Sequence, residues 1–457
     1  MNQLSAQPEA AEPRKVSTVK RDAIIFMPGL FRGQVNQSID NVCRRIAAAL
    51  NRQAVTGKAA FVLSEGKDED YEGNKTRMIT ISRKDGQQET AAIDVYEMNY
   101  EQSLTGQYKK RSAILQSLAI GALLASNFGK LLGAIKKPSK SFSQKWHVLY
   151  AGFLFMVLAA YMIVLLVTAV LTVNEQVKAN LNRGEGAGAG DTTAVAAGIN
   201  RAGRDSLQSG TRDVSQTSRG GTTPGWLRFL QMGVIVITAL GLFTKTDLKQ
   251  ILSIVSAEAT CAINYLNLGE RSGVLAGQLS SLLEHIFQKS GNGTPYRDVH
   301  IMAYSFGSIL AMDTLFPHNQ PGERYRHINT LITIGNPFDF IRTYWPAYFN
   351  QRAAWKEAPR KWLNIYAAAD VLGSDFIDEM NSERKEQGVE LATGDPKRPQ
   401  SIRFGKARGL KEYSLLEKIT LIGFKIHAFY WEGEQPYDVN CFDLIVKEMY
   451  AGDSILK

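Results

Sequence analysis

Ser305 lies in the run Val299-His300-Ile301-Met302-Ala303-Tyr304-Ser305-Phe306-Gly307-Ser308, a setting that can turn a hydroxyl into a nucleophile. The polar pair Arg297-Asp298 leads into a short, mostly apolar stretch, and after the serine Ile309, Leu310, Met312 and Leu315 recur at helical spacing. The pattern reads as strand, sharp turn, helix, with Ser305 on the turn. A turn of this kind pushes the hydroxyl out of the sheet edge on strained, exposed backbone. Small residues two before and two after it, here Ala303 and Gly307, let strand and helix approach closely. The same five residues also describe an ordinary small serine at a strand-to-helix turn. The rest of the chain must supply a base, an acid and hydrogen-bond donors before Ser305 does chemistry.

Composition narrows the setting. The chain has 457 residues, more than one ordinary domain needs, and at 44% hydrophobic and 21% charged it can bury a large core. Its net charge of +9 points to an anionic partner, either nucleic acid or a membrane surface. Cys43, Cys261 and Cys441 are far apart, form no metal-ligand spacing and read as buried free thiols of a reducing compartment. There is no phosphate-binding glycine-lysine loop and no histidine cluster, so neither an organic cofactor nor a metal is expected. Residues 1–21 are polar without an apolar core; they read as a disordered tail rather than a signal peptide.

The elements that must position Ser305 alternate between strand and helix. Ala23 to Met27 is a short apolar run ending in Pro28-Gly29-Leu30, as suits a buried parallel strand. Val42, Ile46, Ala49 and Leu50 fall at helical spacing within Ile39 to Leu50. Ala60–Leu63 and Met78–Ile81 read as a hairpin around a polar tip, Glu65 to Asn74, and Ala92 to Tyr96 as a further strand. Beyond Ser305 the spacing predicts strands over His327–Ile334, Trp362–Tyr366 and Ile419–Gly423, and a closing helix over Phe442 to Tyr450. Leu248 to Leu268 and Ser272 to Gln288 both show helical periodicity. The fold class expected is α/β, a mostly parallel sheet flanked by helices.

That alternation breaks in the middle. Val148 to Val173 carries no charge and is long enough to cross a hydrocarbon core of about 30 Å with some tilt. Trp226 to Thr244 is a second, weaker apolar stretch, with Arg228 and Gln231 near its start. Asn174 to Gly225 between them is rich in Gly, Ala, Ser and Thr and reads as a flexible loop. Ala113 to Ile135 is apolar but broken by Gln116, Asn127 and Lys130, which suits an interfacial helix or a helix of the globular part. Lys109, Lys110, Arg111, Lys130, Lys136, Lys137, Lys140 and Lys145 have no acidic residue among them. An unmixed basic cluster directly before a span is the pattern of a cytoplasmic flank facing anionic lipid, so the positive charge is assigned to a membrane rather than to nucleic acid.

The stretch around Ser305 resembles the nucleophile elbow of the α/β-hydrolase superfamily, G-x-S-x-G, with Ala303 replacing the first glycine. The resemblance covers residues 22–100 and 270–450. It implies a triad in the chain order serine, acid, histidine. Of the six histidines only His318, His327 and His427 follow Ser305, and only His427 follows a plausible acid. It also lies shortly after the last expected strand, where the superfamily's histidine loop falls. Asp370, closing Trp362–Tyr366 through Ala367-Ala368-Ala369, stands in the acid's place; Asp375 and Asp339 are its rivals. The resemblance further implies an oxyanion hole from the backbone N–H of Phe306 and one in the loop Met27-Pro28-Gly29-Leu30, assigned to Leu30. The chain departs from the family in having too few residues before Ala23 for the usual first two strands, in Ala303, and in the membrane-like insertion between Tyr100 and Leu268.

Strands before and after the insertion belong to one sheet, so the chain must cross a membrane an even number of times. The organisation expected is therefore a tail (1–21), a first hydrolase part (22–108), a basic juxtamembrane segment (109–147), spans at 148–173 and 226–244 around the loop 174–225, and a second hydrolase part (245–457). The hydrolase part is expected on the cytoplasmic side of a plasma or inner membrane. The resemblance implies a membrane-anchored serine hydrolase acting on a lipid or acyl ester, with Ser305 as nucleophile, His427 as base and Asp370 orienting it. Two other readings fit the same sequence: a catalytically silent hydrolase fold used as a membrane interaction or signalling module, and a soluble lipase whose apolar segments form a lid.

Overall fold

The computed structural model describes residues 21–30, 38–54, 60–100, 261–291, 296–367, 370–404, 427–431 and 440–456, with short internal breaks, and isolated positions between 103 and 177. The chain divides into two compact units, Met1–Leu154 with Gln250–Lys457, and Phe155–Lys249. Only Asn174 and Val177 of the second unit are among the described residues, and both are helical.

The first unit is a mixed α/β structure with a mostly parallel central sheet flanked by helices. Its elements are β1 (Asp22–Met27), α1 (Ile39–Gln53), β2 (Ala60–Leu63), β3 (Lys67–Tyr71), β4 (Asn74–Asp85), β5 (Gln88–Glu97), α2 (Gly269–Gly291), β6 (Val299–Tyr304), α3 (Phe306–Leu315), β7 (Ile328–Ile334), α4 (Phe338–Tyr344), β8 (Lys361–Tyr366), β9 (Ile377–Asp378), β10 (Lys385–Glu386), β11 (Gln400–Arg403) and α5 (Cys441–Tyr450). The strand order is β11-β8-β7-β6-β1-β5-β4-β2, with β3 also pairing β4. From β11 to β5 every pair is parallel; β4 pairs antiparallel with β5, β2 and β3.

The central strands are buried on both faces, which is why they read as continuous apolar runs. Every residue of β1 and β6 is buried. Side chains alternate across the sheet. Ala23, Ile25, Met27, Ile301 and Ala303 join the core layer beneath α2 and α3, with Leu279, Leu283, Ile286 and Ile309. Ile24, Phe26, Met302 and Tyr304 join the layer beneath α1 and α5, with Ile46, Trp431 and Ile445.

Register brings the loops that matter to one edge. Met27 pairs with Ala303, Tyr304 with Ile334, and Ile334 with Ile365. The segments beginning Pro28, Ser305, Gly335 and Ala367 therefore leave the carboxyl ends of adjacent strands together. The chain returns from β1 to β5 on one side and to β6 on the other, so the sheet changes direction at β1. Crevices at such switch points, beyond the carboxyl ends of parallel strands, are where open α/β sheets place ligands.

The structure departs from expectation at two edges. The polar tip Glu65–Asn74 is not a plain loop: Lys67–Tyr71 forms β3, turned back onto β4 at Glu72-Gly73, where φ is 44° and 78°. Its run of charges, mostly on solvent-exposed positions, hides the alternation that marks a half-buried strand. The strand beyond β8 is β11, Gln400–Arg403, whereas Ile419–Gly423 lies outside the described residues. So do the basic segment and both expected spans, apart from Gly129, Gly133 and Gly152. Among the described residues no helix is long and apolar enough to cross a membrane.

Helix α5 closes the sheet through its start. Asn440 accepts the Phe442 N–H at 3.0 Å, and the Asp443 carboxylate accepts the Asn440 N–H at 2.8 Å. Asp443 also takes two hydrogen bonds from Arg52 at the end of α1, at 2.6 and 2.8 Å. Replacing a helix N-cap of this type by alanine costs about 0.5–2 kcal/mol. Asn440→Ala should lower the unfolding free energy by that amount in denaturant titration while leaving the sheet intact by circular dichroism.

Candidate active site

Ser305 sits between β6 and α3 with φ 52° and ψ −124°. A non-glycine residue in that region carries about 1–3 kcal/mol of strain and persists only where its surroundings hold it. They do so here from several sides. The Ser305 N–H donates to the Ile334 carbonyl at 2.8 Å, and its own carbonyl accepts the Ser308 N–H at 2.9 Å. The Ser308 hydroxyl donates to the Ala303 carbonyl at 3.0 Å. Gly307 lets the start of α3 press on the end of β1: a Cβ there would lie 2.6 Å from the carbonyl oxygens of both Met27 and Pro28. Gly29 answers from the other strand, where a Cβ would lie 3.1 Å from Ser305 Cβ.

The strain presents the hydroxyl to His427. Ser305 Oγ lies 2.7 Å from His427 Nε2, and His427 Nδ1 lies 3.0 and 2.9 Å from the two carboxylate oxygens of Asp370. A proton on Nδ1 is what a carboxylate at that distance requires, which leaves Nε2 as the acceptor for the serine proton. The Tyr304 ring stacks on the imidazole with centroids 5.2 Å apart, and its hydroxyl donates to the His427 carbonyl at 2.6 Å. Gly335 (φ 57°) leaves space on another side; a Cβ there would lie 2.9 Å from His427 Cε1.

Asp370 is buried, and burial alone pushes a carboxyl pKa up. The adjacent His427, by charge and hydrogen bond, opposes this, aided by donors from Tyr430 and the Leu372 N–H, and the carboxyl is held below its ordinary value. The Tyr430 hydroxyl donates at 2.7 Å and the Leu372 N–H at 2.9 Å. Tyr430 is itself fixed by the Ala367 N–H, which donates to it at 2.8 Å.

The rival acids are engaged elsewhere. Asp339 accepts the Ser374 hydroxyl at 2.5 Å, and Asp375 accepts the Ile377 N–H at 3.1 Å. Leu30 lies buried in the segment after β1, and Phe306 is the first residue of α3. A first-turn N–H has no carbonyl partner within its helix, so that of Phe306 is available to an oxyanion. The segment before Leu30 is anchored by the Tyr100 hydroxyl, which donates to the Pro28 carbonyl. Phe306 also packs its ring edge-to-face against Tyr265, with centroids 5.3 Å apart.

The structure thus brings Ser305, His427 and Asp370 into one hydrogen-bonded chain beside the loops carrying Leu30 and Phe306. The whole group is enclosed: Ser305 is 5% exposed and His427 3%. Tyr304, Tyr430, Tyr100 and Gly335 are the site's supports that sequence reasoning passes over. A tyrosine beside a catalytic candidate looks like any core aromatic until its hydroxyl's partner is seen. A potential metal-ligating trio, Asp22, Asp298 and His300, lies at the opposite end of β1 and β6. Comparison of the chain with protein-family models, curated proteins and solved structures finds no match.

The support from Tyr430 has a measurable consequence. A carboxyl depressed in the folded state contributes stability above its unfolded pKa, and loses it as pH falls through the folded value. Tyr430→Phe raises the folded value and removes a buried hydrogen bond. The variant should lose about 1–3 kcal/mol at neutral pH. Its acid-unfolding midpoint should move to higher pH, as followed by fluorescence.

Proposed function

We propose that the protein is a serine ester hydrolase of α/β-hydrolase type, anchored to a membrane and acting on a lipid or acyl ester. The observation that carries the reading is the unbroken hydrogen-bonded chain from Ser305 Oγ through His427 to Asp370. The topology around it supports the same reading. The serine follows a parallel strand adjoining β1, the acid follows β8 two strands further on, and the histidine comes last in the chain.

In this mechanism Ser305 Oγ attacks the ester carbonyl as His427 Nε2 takes its proton. Asp370 keeps the proton on Nδ1 and stabilises the imidazolium. The backbone N–H groups of Leu30 and Phe306 hold the developing oxyanion, an effect worth about 2.7–4 kcal/mol per donor. Collapse breaks the bond to the alcohol, which leaves with the proton from His427. Water then attacks the acyl-serine with His427 again as base, releasing the acid and restoring Ser305.

The lipid substrate and the cytoplasmic site beside a membrane rest on the sequence: the apolar segments 148–173 and 226–244 and the basic cluster Lys109 to Lys145. The enclosure of Ser305 favours a second reading, a silent hydrolase fold serving as a membrane interaction or signalling module. Turnover separates the two. The full-length chain should hydrolyse acyl esters presented in micelles. Ser305→Ala should abolish this, and Asp370→Asn should lower kcat by about 10⁴-fold with little change in fold. A folded wild type without turnover on short-chain or long-chain esters supports the silent module.

A further inference from the structure

We propose that Asp22, Asp298 and His300 form a binding site for one divalent transition-metal ion with mixed nitrogen and oxygen preference, such as zinc or manganese, at the end of the sheet opposite Ser305. One donor atom from each residue lies within 4.8 Å of the others. Ions of this size bind imidazole nitrogen and carboxylate oxygen at about 2.0–2.2 Å, so two donors lie about 3.3–3.6 Å apart around a tetrahedral ion and up to about 4.4 Å apart across an octahedral one. Side-chain movements of roughly 0.5–1.5 Å close the trio around an ion.

The unpartnered group is His300. It is 4% exposed, and neither ring nitrogen makes a hydrogen bond. Its Nε2 is 3.8 Å from Asp22 Oδ2, beyond hydrogen-bond reach and compatible with a shared ion. Buried polar groups without partners are rare because each costs about 1–3 kcal/mol. Asp22 opens β1 and pairs in register beside the start of β6, where Ile24 lies opposite His300. The two side chains therefore share a face of the sheet.

Charge points the same way. Arg297 is shared among three carboxylates. It donates twice to Asp22, at 3.0 and 2.8 Å, and lies 2.7 Å from Asp453 and 3.4 Å from Asp298. One guanidinium among three carboxylates leaves this group net negative, and a divalent ion would supply the difference. Arg21 does not, because it pairs with Asp94 at 2.9 Å. Asn329 orients Asp298 by donating to its Oδ1 at 2.5 Å, as groups behind metal ligands commonly do. A cavity of about 740 Å³, lined by Tyr296, Arg297, Asp298, His327 and Asn329 among others, gives access from solvent to the Asp298 side.

Such an ion would tie the first residue of β1 to the start of β6, the two strands that lead to Leu30 and Ser305. Ser305 lies five positions beyond His300, about 17 Å along a strand, so the ion is structural and takes no part in ester chemistry. The proposal does not depend on the hydrolase reading.

The test uses the chelator-treated full-length chain, titrated separately with zinc and manganese. Bound metal is measured by elemental analysis after gel filtration, and thermal stability in parallel. The proposal expects about one ion of at least one metal per chain, a rise in the unfolding temperature, and at least tenfold weaker binding in both Asp298→Asn and His300→Asn. Asp298 is partly exposed, so its variant serves if His300→Asn fails to fold. A folded wild type that binds neither metal stoichiometrically overturns the proposal. Binding that is unchanged in the folded Asp298→Asn variant does so equally, since the ion then sits elsewhere.

Discussion

The site depends on one strained residue. Ser305 is held at φ 52°, where a side chain other than glycine does not rest unaided, and the neighbouring elements are arranged to keep it there. The Ile334 carbonyl on β7 takes its N–H, Ser308 on α3 takes its carbonyl, and Gly307 allows α3 to touch the end of β1. The contacts involve β7, α3 and the end of β1, so the conformation of Ser305 depends on those three elements packing together. The strain is a local cost offset by sheet and helix packing, and its return is position.

The second constraint is a buried charge. A carboxylate with almost no solvent contact is unfavourable unless its oxygens are satisfied. Asp370 meets that condition through His427, Tyr430 and the Leu372 N–H. The same bonds fix the imidazole, whose other face rests on Tyr304. Asp370, His427, Tyr430 and Tyr304 thus form one unit: none of the four side chains can move without leaving another buried group unpaired. That coupling is why truncating any one of these side chains should cost stability, whereas the near-isosteric Asp370→Asn should spare the fold.

Much of this frame was legible in the residues. The runs 23–27, 299–304, 327–334 and 362–366 are short and mostly apolar, and strands occupy them to within a residue at their starts. Ser305 stood out through Ala303 and Gly307; the structure gives Gly307 its steric role against the end of β1, while Ala303 meets Ser308 through a backbone carbonyl that any residue would offer. The acid was less legible. Asp339, Asp370 and Asp375 all follow strands or lie near their ends, and what separates them is side-chain direction and the partners Ser374 and Ile377 already supply. β3 was hidden because its side chains are largely solvated and charged, so burial left no period in the sequence. The tyrosines around the site were hidden for the opposite reason: their rings belong to the core, and only their hydroxyls belong to the site.

The most direct measurement is to react the full-length chain with a fluorophosphonate and locate the adduct by peptide mass spectrometry. The account predicts a single phosphonyl group on Ser305, formed quickly in the wild type and essentially not at all in His427→Ala. An adduct on another residue, or on Ser305 at the same rate without the imidazole, would contradict it.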